Sequence, residues 1–290
     1  MDLSVIIVSY NTKELLRNCL ESVFAQTKGI NYEVIIVDNN SIDGSVRMVK
    51  KLKTKNQKLK IKLIENKENL GFAKANNQAL RQAQGEYVLL LNSDTVLKGN
   101  PLLKLIRFAQ KHPKAGVIGC KLLNADGTPQ PSVAPFFTLP WTFLWFLTGD
   151  RFLYSSPSKS SQVDWVMGAA LMVKKEAIDK VGLLDEKFFM YMEEVEWCYR
   201  IKKAGWQIWF YPEAKIFHLV RGSSPEGKQR AILGIYKGLI YFYQKHFAPW
   251  QLIVLKLLLR IKAVGAWLIG ILTNNHYLKE TYAKAFKMVG

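Results

Sequence analysis

The segment Glu33-Val34-Ile35-Ile36-Val37-Asp38-Asn39-Asn40-Ser41 decides the fold, because four consecutive apolar, β-branched residues end abruptly in a polar cluster. A strand with one wet face alternates apolar and polar side chains, whereas a run without alternation is covered on both faces, as in a parallel sheet. Neighbouring segments repeat the pattern. Residues 4–9 run into Ser9-Tyr10-Asn11, residues 87–91 run into Asn92-Ser93-Asp94, and residues 60–65 supply one more strand. Between them, residues 13–26 (Leu15, Leu16, Cys19, Leu20, Val23), 45–52 and 72–83 carry apolar side chains at helical spacing. This alternation predicts an α/β protein with a mostly parallel sheet flanked by helices on both faces. Ligands in such sheets bind at the carboxyl ends of the strands, and the polar clusters fall there.

Outward from this core the pattern loosens. Residues 117–175, with Pro135-Phe136-Phe137, Trp141, Trp145, Phe146, Tyr154 and a Ser-rich link over 155–161, read as a long loop with short helices over the site. Residues 188–204 read as helix, 206–211 as strand, and everything after Lys228 as apolar helix with basic punctuation. At 290 residues, 49% hydrophobic and 12% aromatic, the chain cannot be mainly disordered. Cys19, Cys120 and Cys198 are far apart with no CxxC, which argues against a disulfide framework or a Cys-based zinc site and for a reducing, cytoplasmic setting. The opening Met-Asp-Leu-Ser-Val-Ile-Ile-Val has no basic region, so no secretory leader is expected.

Charge is unevenly placed. Lys plus Arg number 41 against 23 Asp plus Glu, a net charge of +18. Seven lysines fall between Lys50 and Lys62 without an acid, and ten basic residues from Lys228 onward face only Glu280. These stretches carry 16 of the 18 units and leave the rest of the chain nearly neutral.

Four polar sites stand out, each with two open readings. Asp38, at a strand tip, suits a ribose hydroxyl or base N–H, or else caps the helix near Ser45. Asp94 suits Mg²⁺ or Mn²⁺, which take few protein carboxylates and then substrate phosphates, or else a structural turn. Glu193, Glu194 and Glu196 beside aromatic residues suit a carboxylate whose pKa is raised for general-base use, or an acidic helix start favoured by the macrodipole. His218 precedes Arg221-Gly222-Ser223-Ser224, a turn able to cradle phosphate, yet a lone His is commonly structural. No GxGxxG follows the first strand, which argues against an oxidoreductase-type dinucleotide site.

Together these segments resemble the family 2 glycosyltransferases of the GT-A fold, and within them the rhamnosyltransferase-like subgroup, over roughly residues 3–224. The carriers, in order, are Val5-Ile6-Ile7-Val8-Ser9-Tyr10-Asn11, Val37-Asp38-Asn39-Asn40-Ser41, Asn69-Leu70-Gly71-Phe72, Leu90-Leu91-Asn92-Ser93-Asp94, Gly168-Ala169-Ala170, Met192-Glu193-Glu194-Val195-Glu196 and His218-Leu219-Val220-Arg221. The resemblance implies a catalytic domain over 1–227, with a nucleotide-sugar half (1–115) and an acceptor half (116–227), followed by a basic helical region (228–290). It implies that Ser9, Tyr10, Asn11, Asp38, Asn40 and Asn76 hold the nucleoside, that Asn92, Ser93 and Asp94 face the diphosphate, and that Asp94 with His218 holds a divalent metal. Glu194 would be the general base of an inverting transfer, with Gly168 and Ala169 close to the sugar and the aromatic segment 136–154 on the acceptor face. Asn92 replaces the first acid of the family's Asp-x-Asp motif, and Glu193-Glu194 replaces its Glu-Asp pair, so the base could be Glu193. Rhamnose from dTDP-rhamnose is the donor the resemblance suggests, with a lipid-linked or polysaccharide acceptor of the cell envelope.

Residues 252–272 have the length of a membrane span. Lys256, Arg260 and Lys262 near its middle would each cost roughly 2.5–3.5 kcal/mol, so an interfacial helix on an anionic cytoplasmic leaflet fits better than a crossing. Packing on the catalytic domain is the alternative. Two rival functions suit parts of the sequence. A nucleic-acid-binding protein would use the basic residues, but these sit away from the polar strand tips, so no nucleic-acid partner is expected. A nucleotidyltransferase would need a Gly-rich basic loop where Ser9-Tyr10-Asn11 stands.

Overall fold

A computed structural model describes residues 1–55, 60–149, 153–219 and 225–290. The elements follow in chain order: β1 (Leu3–Ser9), α1 (Lys13–Gln26), β2 (Tyr32–Asp38), α2 (Ser45–Lys55), β3 (Ile61–Glu65), α3 (Phe72–Leu80), β4 (Tyr87–Leu91), β5 (Thr95–Leu97), α4 (Pro101–Lys111) and β6 (Ala115–Leu123). Then come β7 (Pro129–Gln130), β8 (Val133–Ala134), α5 (Leu139–Thr148), β9 (Ser161–Gln162), β10 (Trp165–Val166), β11 (Ala170–Lys174), α6 (Lys175–Val181) and α7 (Glu193–Lys203). Last are β12 (Gln207–His218), α8 (Pro225–His246), α9 (Pro249–Leu272) and α10 (His276–Met288).

The main sheet runs β3-β2-β1-β4-β11-β6-β12-β5. The first four strands are parallel, β11 is antiparallel to both its neighbours, and β6 pairs parallel with β12. Side chains alternate between two apolar layers, with Val5, Ile7, Val34 and Ile36 on one face and Ile6, Ile35 and Val37 on the other. Double burial explains the unbroken apolar runs. Helix α1 covers the first face through Leu16, Cys19, Leu20 and Val23. The second layer continues through α7 into α8, α9 and α10, where Tyr236, Phe242, Leu255, Leu259 and Ala285 are buried.

Three local expectations are corrected. Residues 117–175 are not mainly loop, because β6 and β11 lie in the middle of the sheet. Gly119 weakens the strand signal in β6, yet a Cβ there would come within 2.6 Å of Val166, so the packing requires glycine. The strand expected at 206–211 continues to His218 across an irregularity between Tyr211 and Lys215, where Pro212 interrupts the pattern. The helix expected from 188 begins only at Glu193, because Tyr191 (φ 73°) and Met192 (φ 75°) are left-handed.

The lysine run is partly structural. Lys62 pairs with buried Glu33 at 2.8 Å, and Lys50 with Glu65 at 2.8 Å. On α9, Leu255, Leu259 and Ala263 face the core, while Ile253, Leu257, Ile261, Val264 and Leu268 form an exposed stripe at helical spacing. Lys262 is turned inward, its Nζ 3.6 Å from the centre of the Trp145 ring, and Lys256 donates to the Gly290 carbonyl. Among the described residues, no helix is long and apolar enough to cross a membrane.

Candidate active site

Parallel register brings the first polar cluster together. Ser9 pairs with Asp38 across β1 and β2, so both tips end at one level. Asp38 Oδ1 accepts from the Ser41 N–H at 2.8 Å, while its buried Oδ2 has no partner. That orphaned acceptor fits a hydroxyl or N–H from a ligand. The alternative role of capping the helix at Ser45 belongs instead to Asp43, whose Oδ1 accepts from the Ser45 N–H and hydroxyl at 3.0 and 2.6 Å. Asn11 and Asn40 are both left-handed. Asn11 pins the adjacent loop, its Oδ1 accepting from the Ile42 N–H at 2.8 Å, and Tyr10 is exposed. Asn76 is buried with its amide donating to the Phe72 carbonyl.

A chain of hydroxyls joins this cluster to the next. Ser9 Oγ lies 3.0 Å from Thr12 Oγ1, which lies 3.0 Å from Ser93 Oγ. Thr12 has no counterpart in the sequence reading, although it directly follows Ser9-Tyr10-Asn11. The Asn92–Asp94 turn is set by backbone bonds, Asn92 N–H to the Ala169 carbonyl and Leu219 N–H to the Asp94 carbonyl, both at 2.9 Å. Antiparallel pairing of β12 with β5 places His218 opposite Thr95. His218 Nε2 consequently sits 3.3 Å from Asp94 Oδ1, with Asn92 Nδ2 at 3.4 Å.

The donor chemistry of this pair fits a cation. Gln130 donates through Nε2 to Asn124 Oδ1, so its Oε1 accepts from His218 Nδ1–H at 2.7 Å. The hydrogen bond at Nδ1 orients the ring so that Nε2 faces a carboxylate oxygen, a nitrogen and oxygen donor pair that would suit a divalent ion. Among the described residues, no three His, Cys, Asp or Glu side chains gather at one point. An ion here would complete its shell from substrate phosphates and water, as Mg²⁺ and Mn²⁺ sites do. The expected phosphate turn at Arg221-Gly222-Ser223-Ser224 lies outside the described residues.

Beside this pair opens a cavity of about 600 Å³, whose lining includes Asn92, Gly168, Ala169, Glu193, Glu194 and His218, together with Phe72, Phe137, Tyr154, Trp165, Met190 and Lys228. Asp38, Ser9, Asn11 and Asn40 lie outside it. Of the expected aromatic acceptor face, Phe137 and Tyr154 reach the cavity, whereas Trp141 and Phe143 point outward from α5.

Glu193 and Glu194 form the acidic start of helix α7 and also line the cavity. The Oε2 atom of each is buried without a partner. Burial, then the neighbouring Glu194 charge, pushes the Glu193 carboxyl well above the ordinary carboxylate range. Burial also raises Glu194, but backbone N–H groups, including that of Gly168, favour its charged form. Backbone N–H groups of several residues are directed at Glu194, whereas Glu193 has only its own.

The approach to these carboxylates is tightly specified. Two successive left-handed non-glycine residues cost roughly 1–2 kcal/mol each and persist only where the surroundings over-determine them. One restraint comes from the Asn69–Phe72 loop. The Phe72 N–H donates to the Phe189 carbonyl at 2.6 Å, and Gly71 (φ 79°) sits so close that a Cβ would collide with that same carbonyl. Asn39 donates to the Gly71 carbonyl at 3.0 Å, tying the β2 tip to the same bridge. Asn77 supplies another restraint, exchanging hydrogen bonds with the backbone of Leu184 at 2.8 and 3.1 Å.

Comparison with known proteins settles the family. The glycosyl transferase family 2 model matches residues 4–181, more than half of the chain. The chain belongs to glycosyl transferase family 2. Within this family it is rhamnosyltransferase-like. It is 27% identical over 275 residues, 86% of each chain, to an N-acetylglucosaminyl-diphospho-decaprenol L-rhamnosyltransferase of Mycobacterium tuberculosis. A low-salt glycan biosynthesis hexosyltransferase of Haloferax volcanii is 29% identical over 212 residues, covering 70% of this chain and 62% of the relative. Among solved structures, the Pyrobaculum calidifontis mannosyltransferase PcManGT, in complex with GDP-Man and Mn²⁺, shares the fold at a TM-score of 0.59 and 17% identity, covering 99% of this chain and 83% of that one. GalNAc-T7 with UDP, GalNAc and Mn²⁺ shares it at a TM-score of 0.61 and 17% identity, covering 84% of this chain and 50% of that one. The fold of this family 2 member is GT-A, with additional C-terminal helices.

Proposed function

We propose that this family 2 glycosyltransferase inverts the anomeric carbon as it moves rhamnose from a nucleoside-diphosphate sugar to a hydroxyl of a lipid-linked or polysaccharide acceptor in cell-envelope glycan synthesis. One observation carries the reading: a single cavity is lined both by Glu194, a buried carboxylate towards which backbone N–H groups are directed, and by His218, paired with Asp94. Glu194 takes the proton from the acceptor hydroxyl as it attacks, and Glu193 keeps its own proton beside it. Asp38, Ser9, Tyr10, Asn11 and Asn40 hold the nucleoside at the strand tips, with Asn76 in the helix behind them. Asn92, Ser93 and Asp94 face the diphosphate, and Asp94 and His218 would hold Mg²⁺ or Mn²⁺. When bound, that ion supplies neutralisation of the charge on the leaving diphosphate. The rhamnose assignment rests on the mycobacterial relative's name, and the envelope setting also on a teichuronic acid biosynthesis glycosyltransferase of Bacillus subtilis, 35% identical over 127 residues.

A panel of nucleotide sugars tests donor and metal together. dTDP-rhamnose at about a hundred times its Kd should stabilise the protein by about 2.7 kcal/mol. The shift should shrink when Mg²⁺ and Mn²⁺ are chelated. If no sugar nucleotide in the panel raises the melting temperature, the reading fails.

The same proposal places the enzyme on the cytoplasmic face of the membrane. The outward stripe of α9 from Ile253 to Leu268 is apolar, Arg260 borders it, and Lys262 is turned away from it. This division suits a helix lying among anionic headgroups. The full-length protein should float with vesicles containing anionic lipid, and Leu257→Ser with Ile261→Ser should leave it at the bottom of the gradient. A wild-type protein that stays at the bottom removes this placement.

A further inference from the structure

Helix α8 does more than lead to the C-terminal helices. It packs directly on the left-handed Tyr191–Met192 turn from which Glu193 and Glu194 emerge. A Cβ on Gly238 would lie 2.7 and 2.8 Å from Met192 Cγ and Cβ, and one on Gly234 would lie 2.7 Å from the Tyr191 ring and 3.1 Å from the Met190 carbonyl. One turn apart on the same helix face, these glycines let the turn approach to backbone contact. A second, independent restraint acts at the end of the same helix. Lys245 Nζ reaches Glu196 Oε1 at 2.8 Å and Asp185 Oδ2 at 2.6 Å, and His246 Nε2 reaches Glu196 Oε1 at 3.0 Å. Glu196 is wholly buried and also bound by Arg200 Nε through both oxygens at 2.9 Å. Arg200 in turn donates to the carbonyls of Val181 and Leu183. Helix α8 thus grips both the turn that leads into α7 and the first turn of α7, two residues beyond Glu194.

We propose that α8 is a positioning element for the transfer reaction, and that Gly234, Gly238, Lys245 and His246 hold the Tyr191–Met192 turn so that the Glu194 carboxylate stays aimed into the cavity beside Gly168. The inference rests on the reading of Glu194 as the base. General-base catalysis is sensitive to placement, and a displacement near 1 Å costs about a hundredfold. The carboxylate also depends on the turn for its contact with the Gly168 N–H, which favours its charged form.

Gly238→Ala in the full-length protein is the test, with Glu196→Gln as a volume-preserving second variant. Gly265→Ala is the control, because a Cβ there meets nothing within 4 Å. In Gly238→Ala, kcat should fall by about 10- to 100-fold, with donor Kd unchanged and the acid limb of the kcat–pH profile moved to higher pH. Glu196→Gln should move both quantities in the same direction by less, and Gly265→Ala should move neither. A purely structural role predicts a lower melting temperature with unchanged kcat and acid limb per folded molecule, and that result overturns the inference. A loss confined to donor Kd overturns it too. Failure of the underlying reading shows separately, as full activity in Glu194→Gln; failure of this inference shows as full activity in Gly238→Ala while Glu194→Gln is inactive.

Discussion

Asp94→Ala should abolish the dependence of donor binding on Mg²⁺ or Mn²⁺ and lower kcat by about 10²–10³-fold, the scale on which one electrostatic contact to a developing charge acts. The size follows from the small donor set. Among the described residues of this site, Asp94 and His218 are the pair proposed to hold the divalent ion, and Asn92 contributes no carboxylate. With one of the two removed, neither water nor His218 alone replaces the anionic ligand. The fold should survive, because the turn is held by bonds the substitution leaves in place: Asn92 N–H to the Ala169 carbonyl, Leu219 N–H to the Asp94 carbonyl, and Thr12 with Ser93. Isothermal titration with a nucleotide sugar, with and without added divalent ion, checks this. An Asp94→Ala protein that still binds donor more tightly with metal would remove Asp94 from the site.

The sheet was legible in the sequence because its strands are buried on both faces, which leaves unbroken β-branched runs ending in polar tips. Ser9, Asp38 and Asn92–Asp94 were legible for the same reason. The pairing of His218 with Asp94 was not, since it depends on the register of β12 against β5, and the pattern of β12 breaks at Pro212. Gln130, which orients His218, sits in a two-residue strand with no sequence signature. The start of α7 was placed too early because Phe188-Phe189-Met190-Tyr191-Met192 has the composition of a buried helix. Its conformation is imposed from outside, by Gly71 and the Phe72 N–H on one side and α8 on the other. Gly234 and Gly238 gave no warning of this role, since glycine within a helix reads locally as a weakness. The basic stretches, in turn, carry two meanings that charge counting merges: Lys50, Lys62 and Lys245 are ion-paired parts of the fold, whereas Arg260 borders the outward stripe.

The central claim is that Glu194 accepts the acceptor's proton while Glu193 stays protonated. Both carboxylates are raised above the ordinary range, so each binds a proton more tightly in the folded protein than in the unfolded chain. For a base of this kind the ionised form is the active one. Activity should rise with pH through the raised Glu194 value and be lost as the pH falls back through it. Glu193→Gln removes the neighbouring acid without removing the base, and should leave most of kcat intact. The most direct measurement is therefore the initial rate of sugar transfer at saturating donor and neutral pH for the wild type, Glu193→Gln and Glu194→Gln side by side. The account predicts a loss of about 10²–10⁴-fold in Glu194→Gln, with donor affinity kept, and a loss below tenfold in Glu193→Gln; wild-type rates in Glu194→Gln, or the large loss falling on Glu193→Gln instead, would contradict it.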